Sequence, residues 1–177
     1  MRFLRITVRL VAFACVLAAV LGMPASTTAQ PKTLLRLQPD PLVLQAGSEA
    51  LVAVRVENVT DLWAFKLVLR FDPQAIEVLS VESGGFLRAD YVPVREFKNT
   101  DGTIQFDLSQ GEDGSGVSAK SGSGDLLHIR IRALRDLPAV HAMSISTDSR
   151  LVDGTNYLPI EYEVYAPLMS FLPLVIR

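Results

Sequence analysis

Cysteine, histidine and tryptophan are nearly missing from this sequence, with one, two and one in 177 residues. Cys15 sits in an apolar run near the N-terminus, so the chain beyond it has no thiol and holds together by burial alone, without a disulfide. Zinc chemistry lacks its His and Cys ligands. Nucleophilic catalysis needs a base beside a nucleophile. His128, on an outward strand face beside Arg130 and Arg132, and His141, in a loop after Pro138, both read as surface residues. There is no Gly-x-Ser-x-Gly elbow. Glu77, Glu82, Glu161 and Glu163 look like solvated strand positions rather than a facing carboxylate pair. Glu112-Asp113 and Asp153 are oxygen donors on turns of the kind a hard cation can use, but read more simply as solvated loop acids. The sequence thus points to no enzyme and calls for no cofactor or metal. A polybasic run is also absent, which argues against nucleic acid and anionic membrane as partners.

Long hydrophobic runs are missing too. Leu10 to Met23 is apolar for about fourteen residues, short of the ~20 that span a bilayer. Arg2, Arg5 and Arg9 precede it, Pro24 breaks it, and Thr27 and Ala29 occupy the −3 and −1 positions of a cleavage site. That is the layout of a secretory signal peptide over residues 1–29. Its loss changes the balance from 17 basic and 19 acidic residues to 14 and 19. The expected address is secreted, extracellular or cell-surface.

Strand patterning fills what remains, and helical periodicity is weak past Gly22. Val52, Val54 and Val56 alternate with Leu51, Ala53, Arg55 and Glu57. Trp63, Phe65, Leu67, Leu69 and Phe71 share one face of the next strand, predicted to be the core face, and Leu62, Ala64, Lys66, Val68 and Arg70 the other. Asp72-Pro73 ends that strand. Ile76 to Glu82 form another, closed by Gly84-Gly85. Asp101-Gly102 is a hairpin signal, followed by Ile104, Phe106 and Leu108 facing in and Gln105, Asp107 and Ser109 facing out. Gln110 to Gly124, with five glycines and four serines, read as a flexible loop. Leu127, Ile129, Ile131 and Ala133 then alternate with His128, Arg130 and Arg132. Met143 to Thr147 form a short strand, Asp153-Gly154 a turn, and Leu158, Ile160, Tyr162 and Val164 a last strand. About seven to nine strands with turns between them predict a single all-β domain, an antiparallel β-sandwich or jelly roll, over residues 30–165. An apolar tail, residues 166–177, carries Pro167 and Pro173, which spoil a helix.

Three stretches together resemble the cohesin family, receptor modules that capture dockerins in cellulose-degrading complexes. They are Val43 to Ser48 with the strand reaching Asn58; Leu62 to Leu79, with Phe71-Asp72-Pro73 ahead of Ile76-Glu77-Val78 and on to Val81 to Gly84; and Gly122 to Ile131. The resemblance implies a nine-stranded jelly roll, related to a group of carbohydrate-binding modules, with the partner on one sheet face. That face would comprise Leu62, Ala64, Lys66, Val68 and Arg70, then Gln105, Asp107 and Ser109, with Glu112 and Asp113 beyond. The best-known dockerin-reading members carry Asn and Asp where Ala64 and Lys66 stand here. No duplicated calcium loop of dockerin type is present in the chain itself.

The expected function is a secreted, non-catalytic binding module for a dockerin-type protein in a polysaccharide-related system. A carbohydrate-binding module is the alternative. Sugar modules stack rings on exposed coplanar aromatics, and here Trp63 and Tyr162 read as core residues, leaving Tyr91 as the loop aromatic. A structural cell-surface module, suggested by the apolar tail, is a third reading.

Overall fold

The computed structural model describes residues 31–111, 118–140 and 142–165, and these form strands without a helix. In chain order they are β1 (Leu34–Gln38), β2 (Leu42–Leu44), β3 (Glu49–Phe71), β4 (Ile76–Ser83), β5 (Tyr91–Lys98), β6 (Thr103–Ser109), β7 (Lys120–Ala133), β8 (Leu137–Val140), β9 (Met143–Ile145), β10 (Arg150–Asp153) and β11 (Glu163–Val164). Nine of these belong to one continuous sheet, and β2 with β8 forms a separate ribbon.

The architecture turns on β3. It runs 23 residues, against a usual strand length of ~5–6. Its first half pairs with β1 on one side and β7 on the other; β7 continues to β4, and β1 to β11, a parallel pair. Its second half pairs with β6, then β5, on one side, and with β9 and β10 on the other. One strand therefore supplies the centre of both layers of a β-sandwich of jelly-roll type. Between the layers lie Leu35, Val52, Val54, Val56, Ile129 and Ile131 from the first, and Phe65, Leu67, Leu69, Ile104, Phe106 and Leu108 from the second, all buried. The strictly alternating burial of these residues is what period-2 patterning predicts.

Alternation fails where β3 changes layer. Asn58 and Asp61 have φ of 55° and 59°, a left-handed backbone that short polar side chains tolerate best. The register against β7 slips between Val56 and Val59 and again before Leu62, as successive β-bulges do. The exposed donors find serine hydroxyls. The Asn58 N–H donates to Ser123 Oγ at 3.0 Å and the Asp61 N–H to Ser121 Oγ at 2.9 Å. Ser121 to Gly124 is thus the opening of β7 and not part of a flexible loop. Gly124 lies under the Phe86 ring, where a Cβ would come within 2.3 Å of ring carbon Cδ2.

A further bulge corrects two side-chain placements. Leu62 pairs with Asp153 and Ala64 with Val152, leaving Trp63 as the extra residue. The phase flips there. Leu62, expected on the outer face, is fully buried, while Trp63, expected in the core, is only half-buried. Tyr91 is also no loop residue, since it opens β5. The expected last strand shrinks to Glu163–Val164, with Leu158 and Val164 exposed. The hairpin at Asp101-Gly102 is present as expected. Gly102 has φ +64°, and a Cβ there would meet the Phe71 carbonyl oxygen at 2.2 Å.

Neighbouring residues on opposite faces of β3 give a direct check. Leu67→Ala should lower the urea unfolding free energy by about 2–5 kcal/mol with the slope unchanged. Lys66→Ala, one residue away on the outer face, should change it by under ~0.5 kcal/mol.

Candidate functional site

Register alone assembles the outer face of the second layer. Residues paired across antiparallel strands share a face, so β10, β3, β6 and β5 lay down rows. Val152, Ala64, Ser109 and Tyr91 form the first, and Arg150, Lys66, Asp107 and Val94 the second. Val68, Gln105 and Glu96 form the third. Ser144 of β9, Arg70, Thr103 and Lys98 form the fourth. Of the residues expected at the site, Ala64, Lys66, Val68, Arg70, Gln105, Asp107 and Ser109 are brought together here, while Leu62 is removed to the core. Glu112 and Asp113, like His141 and the tail from residue 166, lie outside the described residues.

The sequence reading missed Val94, Glu96 and Lys98 on β5, and Arg150 and Val152 on β10. For β5 a signal existed, since the Asp101-Gly102 turn requires a strand before it. Pro93 obscured that strand; with no N–H to give, it is tolerated because β5 is an edge strand. For β10 only the pairing with β3 reveals the face.

The central row is held by a buried hydroxyl. β9 leaves β3 after Leu69 and β10 joins it at Lys66, so Val68 has no strand partner on that side. Ser149 fills the gap: the Val68 N–H donates to Ser149 Oγ at 3.0 Å, and that hydroxyl donates to the Val68 carbonyl oxygen at 3.2 Å. Ser149 is completely buried.

A pinned loop flanks the first row. The Asp153 carboxylate accepts the N–H groups of Thr155 at 3.0 Å, Asn156 at 2.6 Å and Leu158 at 3.1 Å. Asp61 adds a clasp, accepting the Thr155 N–H at 3.0 Å and its hydroxyl at 2.6 Å. These contacts hold Tyr157 at φ 58°, its ring edge-on to Trp63 with centroids 5.1 Å apart. The backbone donors, Asn156 foremost, hold the Asp153 carboxyl below the usual carboxylate range. The Trp63 indole N–H is buried without a partner among the described residues.

The outer faces of the two layers differ in charge pairing. On the first layer Arg36 meets Glu57 at 3.3 Å, Arg55 meets Asp125 at 2.8 Å, and Arg132 meets Glu49 at 2.9 Å and Glu77 at 3.2 Å. His128 lies 3.3 Å from Asp125, so it belongs to this ion-paired surface. On the second layer Lys66, Arg70, Lys98 and Arg150 enter no ion pair among the described residues. Nor do the described residues contain a group of three or more His, Cys, Asp or Glu side chains placed to hold a metal ion.

Comparison with known proteins adds the family. The Cohesin domain model matches residues 39–164. No curated protein matches the chain. Among solved structures, a type I cohesin–dockerin complex from Clostridium thermocellum aligns at 21% identity and TM-score 0.62, over 80% of this chain and 94% of that one. The sixth cohesin of scaffoldin B from Acetivibrio cellulolyticus, in complex with a mutant dockerin, aligns at 16% identity and TM-score 0.61, over 76% and 95%. A non-cellulosomal cohesin from the archaeon Archaeoglobus fulgidus aligns at 17% identity and TM-score 0.57, over 76% and 86%. At these identities the likeness is one of fold.

Two measurements probe the geometry around this face. Ser149→Ala strands the Val68 N–H, whose carbonyl keeps the Ser146 N–H at 2.8 Å, and should cost about 1–3 kcal/mol by denaturant titration. The Asp153 carboxyl, lowered in the folded chain, stabilises its loop fully above the unfolded carboxylate value. That contribution is lost as pH falls below the unfolded value of about 4 and through the lower folded one. Trp63 emission should change in that window ahead of the far-UV signal. Asp153→Ala should show the altered emission already at neutral pH.

Proposed function

The chain belongs to the cohesin domain family, and from that premise we propose that it is an exported, non-catalytic receptor module. Its outer β10–β3–β6–β5 face docks a protein partner of dockerin type. One observation carries the choice of face: among the described residues its charges form no ion pairs, while the opposite layer neutralises most of its own. A sheet face with short side chains at its middle, Ala64 and Val68, and charges around them suits a protein interface with an apolar centre and polar rim. Two of the solved relatives were captured with dockerins bound. Export rests on the arginine-led apolar leader of residues 1–29, and a polysaccharide-degrading setting on the company such relatives keep.

Ala64 and Lys66 stand where polar Asn and Asp would be expected of a common dockerin reader, so the partner on this reading has a surface matched to a small apolar residue and a cation. The test is capture from the secretome of the source organism. The mature domain should retain a protein bearing a duplicated calcium loop and lose it on chelation. Ala64→Arg, which pushes a long side chain across the first row, should reduce capture at least about tenfold, a loss of ~1.4 kcal/mol, with the fold intact. Retention of polysaccharide alone in a parallel panel would replace the protein partner by a sugar.

A further inference from the structure

We infer that this face is built to receive a carboxylate-rich surface of its protein partner. The inference rests on the docking reading above and deepens it by giving the partner's chemistry.

The chain as a whole is acidic, with a formal charge of −2, yet the rows of this face carry four cations, Lys66, Arg70, Lys98 and Arg150, against two carboxylates, Glu96 and Asp107. Lys66 and Arg150 stand directly opposite one another in register. Like charges so placed destabilise a sheet. Among the described residues the Arg150 guanidinium donates to carbonyl oxygens, those of Thr147 at 3.0 Å and Ser149 at 2.9 Å. Asp107, across from Lys66, sits 3.3 Å from the Gln105 amide nitrogen instead.

Carboxylates are not scarce in this fold. The first layer places Glu49, Glu57, Glu77 and Asp125 against its arginines, Arg130 being the exception there. The cations of the second layer form no such ion pairs among the described residues, and Asp107 opposite Lys66 with Glu96 beside Arg70 and Lys98 leaves the face with two positive charges in excess. Arg70 and Lys98 flank Thr103 in the fourth row, about two strand spacings or ~10 Å apart. Between them opens a depression of about 180 Å³, which Val68, Gln105 and Glu96 also line. A glutamate or aspartate side chain entering there meets a cation on either side. Glu96 at the same depression favours a discrete carboxylate over a continuous polyanion. Ordinary charge complementarity then speeds encounter and fixes orientation.

Titration of the ¹⁵N-labelled chain by NMR tests this with three probes: a helical alanine-based peptide bearing glutamates along one face, the same peptide bearing lysines, and a single-stranded oligonucleotide. The glutamate peptide should shift amides along residues 64–70 and in β5, β6 and β10, and its affinity should fall at least about tenfold between roughly 50 and 300 mM NaCl. The lysine peptide should leave that face unmoved. Joint reversal, Lys66→Glu with Arg70→Glu, should exchange the two preferences. The neutral pair Lys66→Gln with Arg70→Gln should abolish them if the reversed chain fails to fold. Equal response to both peptides, shifts confined to β4 and β7, or oligonucleotide binding as tight as the glutamate peptide would overturn the inference. A glutamate preference without capture of any calcium-loop protein keeps the inference and removes the dockerin reading. Capture that ignores salt and charge does the reverse.

Discussion

A strand that must serve two sheets cannot keep one alternation along its whole length, and that constraint organises this protein. β3 contributes the middle of both layers, so its inward residues must switch from one sheet normal to the other within a few positions. The chain does this by inserting residues: left-handed Asn58 and Asp61, then the extra Trp63. Each insertion breaks a ladder and leaves backbone groups needing partners. The hydroxyls of Ser121 and Ser123 supply them from β7. Gly122, between those serines, takes φ +120°, and Gly124 admits the Phe86 ring.

The outer face of the second layer inherits its shape from the same corner. Because Trp63 is the extra residue, Leu62 turns inward, and the outer row begins at Ala64 with a small side chain. Because β9 stops and β10 begins beside Val68, the row next to Arg70 is completed by the Ser149 hydroxyl rather than by another strand. Asp153 and Asp61 then hold the loop that presents Tyr157 against Trp63. The face is therefore shaped by hydrogen bonds made at strand irregularities, while the regular ladder behind it supplies rigidity. Its charge is set by what lies opposite: most arginines of the first layer form ion pairs with carboxylates in register or diagonal to them, whereas four cations of the second share two carboxylates, Asp107 and Glu96.

Much of this could be read from residue order. The all-β sandwich, the inward residues of β6 and β7, the Asp101-Gly102 hairpin and the side of β3 carrying Lys66 and Arg70 follow from period-2 alternation and turn chemistry, because a strand's faces are fixed by local geometry. The resemblance added the family. Tertiary pairing decided the rest. A bulge has no reliable local signature, so the inward turn of Leu62 and the half-exposure of Trp63 were invisible. Serine and glycine that look like a linker become a strand when a bulged neighbour needs their hydroxyls. The rows that join Arg150 to Lys66 and Lys98 to Arg70 exist only once strands far apart in the chain lie side by side, since which charges face each other is a property of register between strands and not of any one strand.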